Sequence, residues 1–248
     1  MKPVDAVIIK VEEETPTIRT FLFDKSFKPE PGQFVMVWIR GVDEIPMALS
    51  CDNAITVQKV GPATTSLFEL REGDSMGIRG PFGNGFQIKG SNILLVAGGV
   101  GAAPLSPLAE KASLQGLKVT TLLGAKTKEE LVFRERFEAA GKVMVATDDG
   151  TAGKHGYVTQ LIDGMKDYDQ IYCCGPEIMM KKILDKVQPE KSQFSLHRYI
   201  KCGIGICGAC CVDGQRVCKD GPVFTGEFLK KSEFGLYRRN ECGEKVTV

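Results

Sequence analysis

Hydrophobic and polar positions run in short bursts over the first third of the chain and lengthen into continuous apolar stretches after residue 90. Residues 4–11, 18–23, 34–39, 55–60 and 76–78 are rich in β-branched and aromatic side chains and are set apart by Pro, Gly and Asp clusters. That rhythm predicts an antiparallel barrel. Pro31-Gly32-Gln33-Phe34 reads as a turn into a strand, and Gly80-Pro81-Phe82-Gly83-Asn84-Gly85-Phe86 as a glycine-rich loop. Between them, Gly61-Pro62-Ala63-Thr64-Thr65-Ser66 precedes the apolar run Leu67-Phe68-Glu69-Leu70, which puts Thr64 to Ser66 at a helix N-terminus. Such an end offers N–H groups and a favourable dipole to a phosphate, or else simply carries an N-cap.

The second pattern is different in kind. Ile93-Leu94-Leu95-Val96-Ala97 is continuous enough for a strand buried on both faces, and it feeds Gly98-Gly99-Val100-Gly101-Ala102-Ala103-Pro104 and a helical pattern over 105–114. Pro104 stands where G-x-G-x-x-G has its last glycine, so the dinucleotide fingerprint is incomplete, although proline suits a first helical turn. Strands are expected at 119–123, 143–146 and 170–174, alternating with helices near 129–140, 159–165 and 176–187. This alternation predicts a parallel sheet with helices on both faces. Ligands of such sheets lie at the carboxyl ends of the strands, which gathers 98–102 with Gly99 and Gly101, Asp148-Asp149-Gly150-Thr151 and Cys174-Gly175-Pro176 around one crevice. Cys173 reads as a small buried hydrophobe.

Composition removes some partners. In 248 residues, 32 basic side chains face 31 acidic ones, so charge makes no case for nucleic acid or a membrane surface. The start lacks the apolar core of a signal peptide, and the run at 93–97 stops at glycines, well short of a membrane span. Nine cysteines, an odd number without an export signal, point to a reducing cytoplasm.

Those cysteines carry the most specific signal. Cys202, Cys207 and Cys210 stand at C-x4-C-x2-C with Cys218 further on, the plant-type spacing for four thiolates on a 2Fe–2S cluster. Glycines at 203, 205 and 208 let the backbone wrap closely and aim N–H groups at sulfur. Zinc is the competing reading, but its structural sites usually pair two C-x2-C knuckles and only Cys207 and Cys210 form one here. Cys211 is one thiol too many for a four-ligand site, and Cys210 is preferred because it completes the spacing.

A barrel followed by G-G-x-G-x-x-P and a later C-G-P resembles the ferredoxin–NADP reductase superfamily. With Cys202-Gly203-Ile204-Gly205-Ile206-Cys207-Gly208 and Val217-Cys218-Lys219-Asp220-Gly221-Pro222, the chain is similar to the electron-transfer subunits of NAD-dependent, heteromeric dihydroorotate dehydrogenase. The resemblance implies β plus α/β architecture: an antiparallel FAD-binding barrel over 1–90, a parallel-sheet NAD-binding domain over 91–192 and a 2Fe–2S region over 193–248. It implies flavin contacts at Leu49, Ser50, Gly61, Thr64 and Thr65, and dinucleotide contacts at Gly99, Gly101, Asp149, Cys174, Gly175 and Pro176. It also implies a separate FMN-containing catalytic subunit, a heterotetramer, and a place in pyrimidine biosynthesis. One departure stands out. The family's flavin motif, R-x-Y-S or R-P-x-S, is met here by Met47-Ala48-Leu49-Ser50, so the phosphate-neutralising arginine is missing; Lys59 and Arg79 are the candidates to replace it, solvated surface charge being the alternative reading of both.

No catalytic acid or base is expected, because His155 and His197 have no carboxylate partner nearby in sequence. NAD is expected over NADP, since Lys126 and Lys128 are offset by Glu129 and Glu130. Two other functions fit the same motifs: a flavin and iron-sulfur reductase subunit of a hydrogenase or transhydrogenase complex, and a flavin-free binding module stapled by its cysteines.

Overall fold

Six strands close a barrel in the order β1-β2-β5-β4-β3-β6: Val4–Thr15 (β1), Ile18–Phe23 (β2), Phe34–Ile39 (β3), Asp43–Cys51 (β4), Ala54–Gln58 (β5) and Ser75–Phe82 (β6). The structure is a computed structural model that describes residues 2–165, 167–240 and 242–248. Alternation sends Phe21, Phe23, Val35, Val37, Leu49, Ile55, Val57 and Ile78 into one barrel core. Burying each such side chain stabilises the fold by about 1.5–3 kcal/mol. Strand β4 was not expected. Its half-buried stretch Glu44-Ile45-Pro46-Met47 hides the period-2 signal, yet it pairs with β3 from Ile39↔Asp43 to Phe34↔Ala48. Helix α1, Pro62–Glu69, follows β5.

The second layer is a seven-stranded sheet that adds Asn92–Gly98 (β7), Lys118–Ala125 (β8), Lys142–Thr147 (β9), Lys154–His155 (β10), Gln170–Cys174 (β11), Ser192–Ser195 (β12) and Val223–Thr225 (β15) in the order β10-β9-β8-β7-β11-β12-β15. All neighbours pair in parallel except β12 with β15. Helices α2 (Ala102–Leu114), α3 (Arg134–Ala140) and α4 (Glu177–Leu184) accompany it. Two helical expectations shrink. Residues 159–165 hold only short 3-10 turns, and the helix expected from 129 begins at Arg134 because Phe133, at φ 58°, breaks the run. The break expected at 192/193 falls inside β12, so the sheet continues into the cysteine-bearing region and takes β15 back as its edge.

That region holds a two-stranded ribbon of Cys211–Val212 (β13) and Gln215–Arg216 (β14), helix α5 (Gly226–Lys231), and a hairpin of Tyr237–Arg239 (β16) and Lys245–Thr247 (β17). One apolar cluster runs through all three parts, joining Phe34 and Met36 of the barrel, Leu94, Val96 and Phe194 of the sheet, and Cys210, Val212, Val217 and Cys218. The glycine-rich loop after β6 lies in the same seam. Gly83, at φ 74°, sits so close to the chain at Gly221 that a Cβ there would lie 2.5 Å from its carbonyl oxygen, and the Asn84 amide donates to the Asp220 carbonyl at 3.1 Å.

Candidate functional site

The cysteine loop is built by its backbone. Gly203 and Gly205 take φ of 71° and 78°, which lets the chain turn twice within a few residues and press against Met36 and Lys219. Amide groups then point at sulfur. Gly205 N–H donates to Cys218 Sγ at 3.2 Å, Ile206 N–H to Cys202 Sγ at 3.5 Å, and Cys218 N–H to Cys210 Sγ at 3.4 Å. Burial acts to raise the Cys202 thiol, but N–H bonds from Cys207, Ile204 and Ile206 outweigh it and hold the group at about 6. Cys218 moves the other way, pushed up to about 12 by burial and by the neighbouring Cys210.

The four thiols lie as two pairs, Cys202 beside Cys207 and Cys210 beside Cys218. Among the described residues no three His, Cys, Asp or Glu side chains converge as a single-ion site requires. Pairs suit a two-iron core, in which each iron takes two thiolates, better than one tetrahedral zinc. Cys211 lies apart on β13, where burial and then the Cys210 charge raise its thiol, and where Arg239 and Arg216 are its charged neighbours. The donor set therefore fits a 2Fe–2S cluster.

Two carboxylate-backed arginines hold the loop. Arg216 donates to the Gly205 carbonyl at 3.0 Å and pairs with Asp220 at 2.9 Å. Arg79 on β6 donates through Nη2 to the Cys202 carbonyl at 3.3 Å, while its Nε and Nη2 both reach the Glu44 carboxylate at 2.6 Å. Arg79 thus ties barrel to cysteine loop and is not free to replace the missing flavin-motif arginine. Lys59 lies 5.8 Å from the Phe68 ring centroid, over α1.

A crevice of about 590 Å³ opens at the carboxyl ends of the sheet strands, lined by Gly99, Gly101, Asp148, Gly175, Pro176 and His197 among others. Gly101 is where two turns nearly touch, since a Cβ there would lie 2.4 Å from the Cys174 carbonyl oxygen. Cys174 is buried, and desolvation pushes its thiol up to about 12. Its sulfur lies 3.5 Å from His197 Nε2. His197 is surrounded by protein yet open to water, and that surrounding lowers its pKa below that of free imidazole. His197 was expected to be structural, but the fold brings it into the crevice across 23 residues of sequence. Of the two aspartates expected at this strand end, Asp149 is held by its own turn. Its carboxylate accepts from the Thr151 hydroxyl and N–H, which holds it below the usual carboxylate range, and the crevice wall is Asp148.

On the barrel, Leu49 packs into the interior at 1% exposure, so its side chain is core and does not face a ligand. Ser50 belongs to a buried hydroxyl chain: Thr56 donates to Ser50 at 2.9 Å, Thr56 and Thr20 are 2.9 Å apart, and Thr20 donates to Glu14 at 2.7 Å. Burial raises the Glu14 carboxyl. Arg136 of α3 donates to the Ser50 carbonyl at 2.9 Å, closing one side of a second cavity of about 560 Å³ that Ser50 and Glu14 share. Gly61 is the N-cap of α1, and Thr65 is half-buried beyond it. The Thr64 hydroxyl turns back to the N–H groups of Val60 and Gly61 at 2.9 and 3.0 Å, so it caps the helix locally and only the backbone is offered outward.

Comparison with known proteins places this geometry. A family profile for the iron-sulfur cluster binding domain of dihydroorotate dehydrogenase B matches residues 197–230, and one for the oxidoreductase NAD-binding domain matches 95–185. A protein of Methanocella arvoryzae described as a probable dihydroorotate dehydrogenase B (NAD(+)), electron transfer subunit, is 58% identical over the full length of both chains. The chain belongs to the dihydroorotate dehydrogenase B electron transfer subunit family. A family member from Methanocaldococcus jannaschii is 48% identical over 99% of this chain and 98% of its own. Among solved structures, one of an NADH-dependent reduced ferredoxin-NADP oxidoreductase superposes with a TM-score of 0.84 at 32% identity, covering 92% of this chain and 90% of that one. The flavohem-like FAD/NAD binding domain of a Vibrio cholerae nitric oxide dioxygenase shares the fold at a TM-score of 0.70 and 20% identity, over 78% of this chain and 98% of that one. No helix among the described residues is long and apolar enough to cross a membrane.

Within this electron transfer subunit family, the residues that sequence reasoning missed are those whose roles depend on distant partners. Glu177 and Arg198 form an ion pair at 2.7 Å, and Glu177 also accepts from Gly235 N–H at 2.8 Å, tying the helix after Cys174-Gly175-Pro176 to the segments before and after the cysteine loop. The turn after β11 announces Glu177 as a helix start, but nothing local announces Arg198.

Proposed function

We propose that this chain is the electron transfer subunit of an NAD-linked dihydroorotate dehydrogenase, working in pyrimidine biosynthesis in the cytoplasm with a separate FMN-containing catalytic subunit as a heterotetramer. The observation that carries the reading is the loop at 202–218, whose four thiols lie in two pairs within a chain 58% identical to a family member along its whole length. Cys202, Cys207, Cys210 and Cys218 hold the cluster and Cys211 does not. The outer barrel wall at Ser50 and the backbone at Gly61, Thr64 and Thr65 hold FAD, and Gly99, Gly101, Gly175 and Pro176 hold NAD. When bound, the flavin exchanges an electron pair with NAD and single electrons with the cluster.

The protein's own work is placement. Gly101 and Gly175 let the two turns of the crevice close to contact distance, so a dinucleotide meets backbone N–H groups at a helix start. The shared apolar core holds the cysteine loop against the barrel and buries Cys210 and Cys218, with Cys202 half-buried beside them, while Cys207, Ile204 and Ile206 stay exposed for a partner. Mixing the purified chain with the cognate FMN subunit is expected to give dihydroorotate-dependent NAD reduction that neither gives alone. Stable copurification with a hydrogenase or transhydrogenase subunit, with no activity in that mixture, would overturn the reading. The 32% likeness to the NADH-dependent ferredoxin-NADP oxidoreductase structure makes the transhydrogenase type the specific rival.

A further inference from the structure

The loop that carries Cys202 meets the barrel at one polar point in an otherwise apolar seam. Met36 and Phe82 flank it, and a Cβ on Gly203 would lie 2.8 Å from the Met36 side chain. Into this seam β6 sends Arg79, whose side chain is 12% exposed, and β4 sends Glu44, at 25%. Strand β3 lies between β4 and β6, so the two side chains meet across it. The guanidinium makes its paired contacts with Glu44 and spends a further N–H on the Cys202 carbonyl. Placing an ion pair in a largely buried seam costs desolvation, and apolar residues of the same size hold such seams at least as well. Its charges are the feature that packing does not explain.

We propose that Arg79 and Glu44 are positioning residues that set the reduction potential of the cluster held by Cys202, Cys207, Cys210 and Cys218, and so the ease with which electrons cross from the loop to the barrel. The inference rests on the cluster ligation proposed above. Reduction adds one negative charge to the cluster. A fixed cation beside Cys202 stabilises the reduced form, and a fixed anion behind it opposes that form. Burial limits screening by water and salt, so both terms persist at ordinary ionic strength. The N–H bond to the Cys202 carbonyl also fixes the angle at which that cysteine leaves the barrel.

The opposed signs supply the test. The complete chain with its cluster is titrated at controlled potentials and read by the EPR signal of the reduced cluster, in the wild type and in Arg79→Met, Arg79→Lys and Glu44→Gln. Arg79→Met is expected to lower the ratio of reduced to oxidised cluster about tenfold at a given potential, a midpoint shift of about 59 mV to the negative for one electron. Glu44→Gln should move the midpoint the opposite way. Arg79→Lys keeps the charge and should stay nearer the wild type than Arg79→Met. Shifts of the same sign for Arg79→Met and Glu44→Gln, or no shift with iron retained, overturn the proposal, because a purely structural pair has no reason to respond with opposite signs. If Arg79→Met loses its iron, the direction of Glu44→Gln against Arg79→Lys decides. A wild-type chain that binds no iron overturns the ligation reading itself and this inference with it, whereas a bound cluster with unmoved midpoints overturns only the inference.

Discussion

At the scale of single residues, the thiols divide by what their sulfurs accept. Cys202, Cys210 and Cys218 receive backbone N–H groups, and Cys207 neighbours Cys202. Serine at any of the four is expected to lose iron or change the EPR signal of the reduced cluster, while Cys211→Ser leaves iron content and spectrum as they were. Iron analysis and EPR of the five variants check this. Gly101→Ala probes the crevice in the same way. Its Cβ would meet the Cys174 carbonyl oxygen at 2.4 Å, so one turn must shift. Overpacking of this kind costs about 1–3 kcal/mol, and dinucleotide affinity should fall at least tenfold, measured by titration of NADH against flavin fluorescence. The cysteines were legible in sequence because metal ligation imposes spacing on a short stretch of chain. Glu44, Arg79 and His197 were not, since their partners lie 35, 123 and 23 residues away.

Elements followed the apolar pattern where burial is one-sided or complete, as in β2, β3, β7 and β11. They departed from it where a local conformation or a half-exposed edge intervenes, as at Phe133 and in β4. The start of the sheet carries a pH-dependent tie. Asp169, just before β11, accepts from the N–H groups of Ser91 and Asn92 at 2.7 and 2.9 Å, and these bonds hold its carboxyl below the usual carboxylate range. The folded carboxylate therefore binds a proton less tightly than the unfolded one. Its stabilisation is complete above the unfolded pKa and is lost as pH falls through the lower folded value. Asp169→Asn should melt below the wild type at neutral pH, and the two melting curves should converge as the pH drops below the ordinary range of carboxylates. Thermal unfolding across that pH series checks the sign. A gap that widens in acid would contradict it.

For the whole molecule, the question is how separable the three parts are. Strand β15 completes the sheet, and one apolar cluster passes through barrel, sheet and cysteine loop. Chains ending at residue 192 should expose Phe194's neighbours in that cluster, lose the edge strand, and aggregate where the full chain does not. Stripping iron from the full chain with reductant and chelator should lower its melting temperature, because Cys210 and Cys218 belong to the same buried cluster and metal binding then adds to folding free energy. Differential scanning calorimetry before and after reconstitution checks both the loss and its recovery.

The sequence by itself determined the order of parts and the chemistry of the loop, because periodicity and ligand spacing are properties of neighbouring residues. A barrel, a parallel sheet with a crevice at its carboxyl ends, and four cysteines at cluster spacing were all readable from it. Only the tertiary structure decided which side chains face those sites. It turned Leu49 into the barrel core, closed Thr64 onto its own helix, put Asp148 on the crevice wall while Asp149 bonds to Thr151, and set Arg79 against the cysteine loop. Side-chain direction and long-range pairing depend on the register of strands and on the packing of separate parts, which no local pattern encodes.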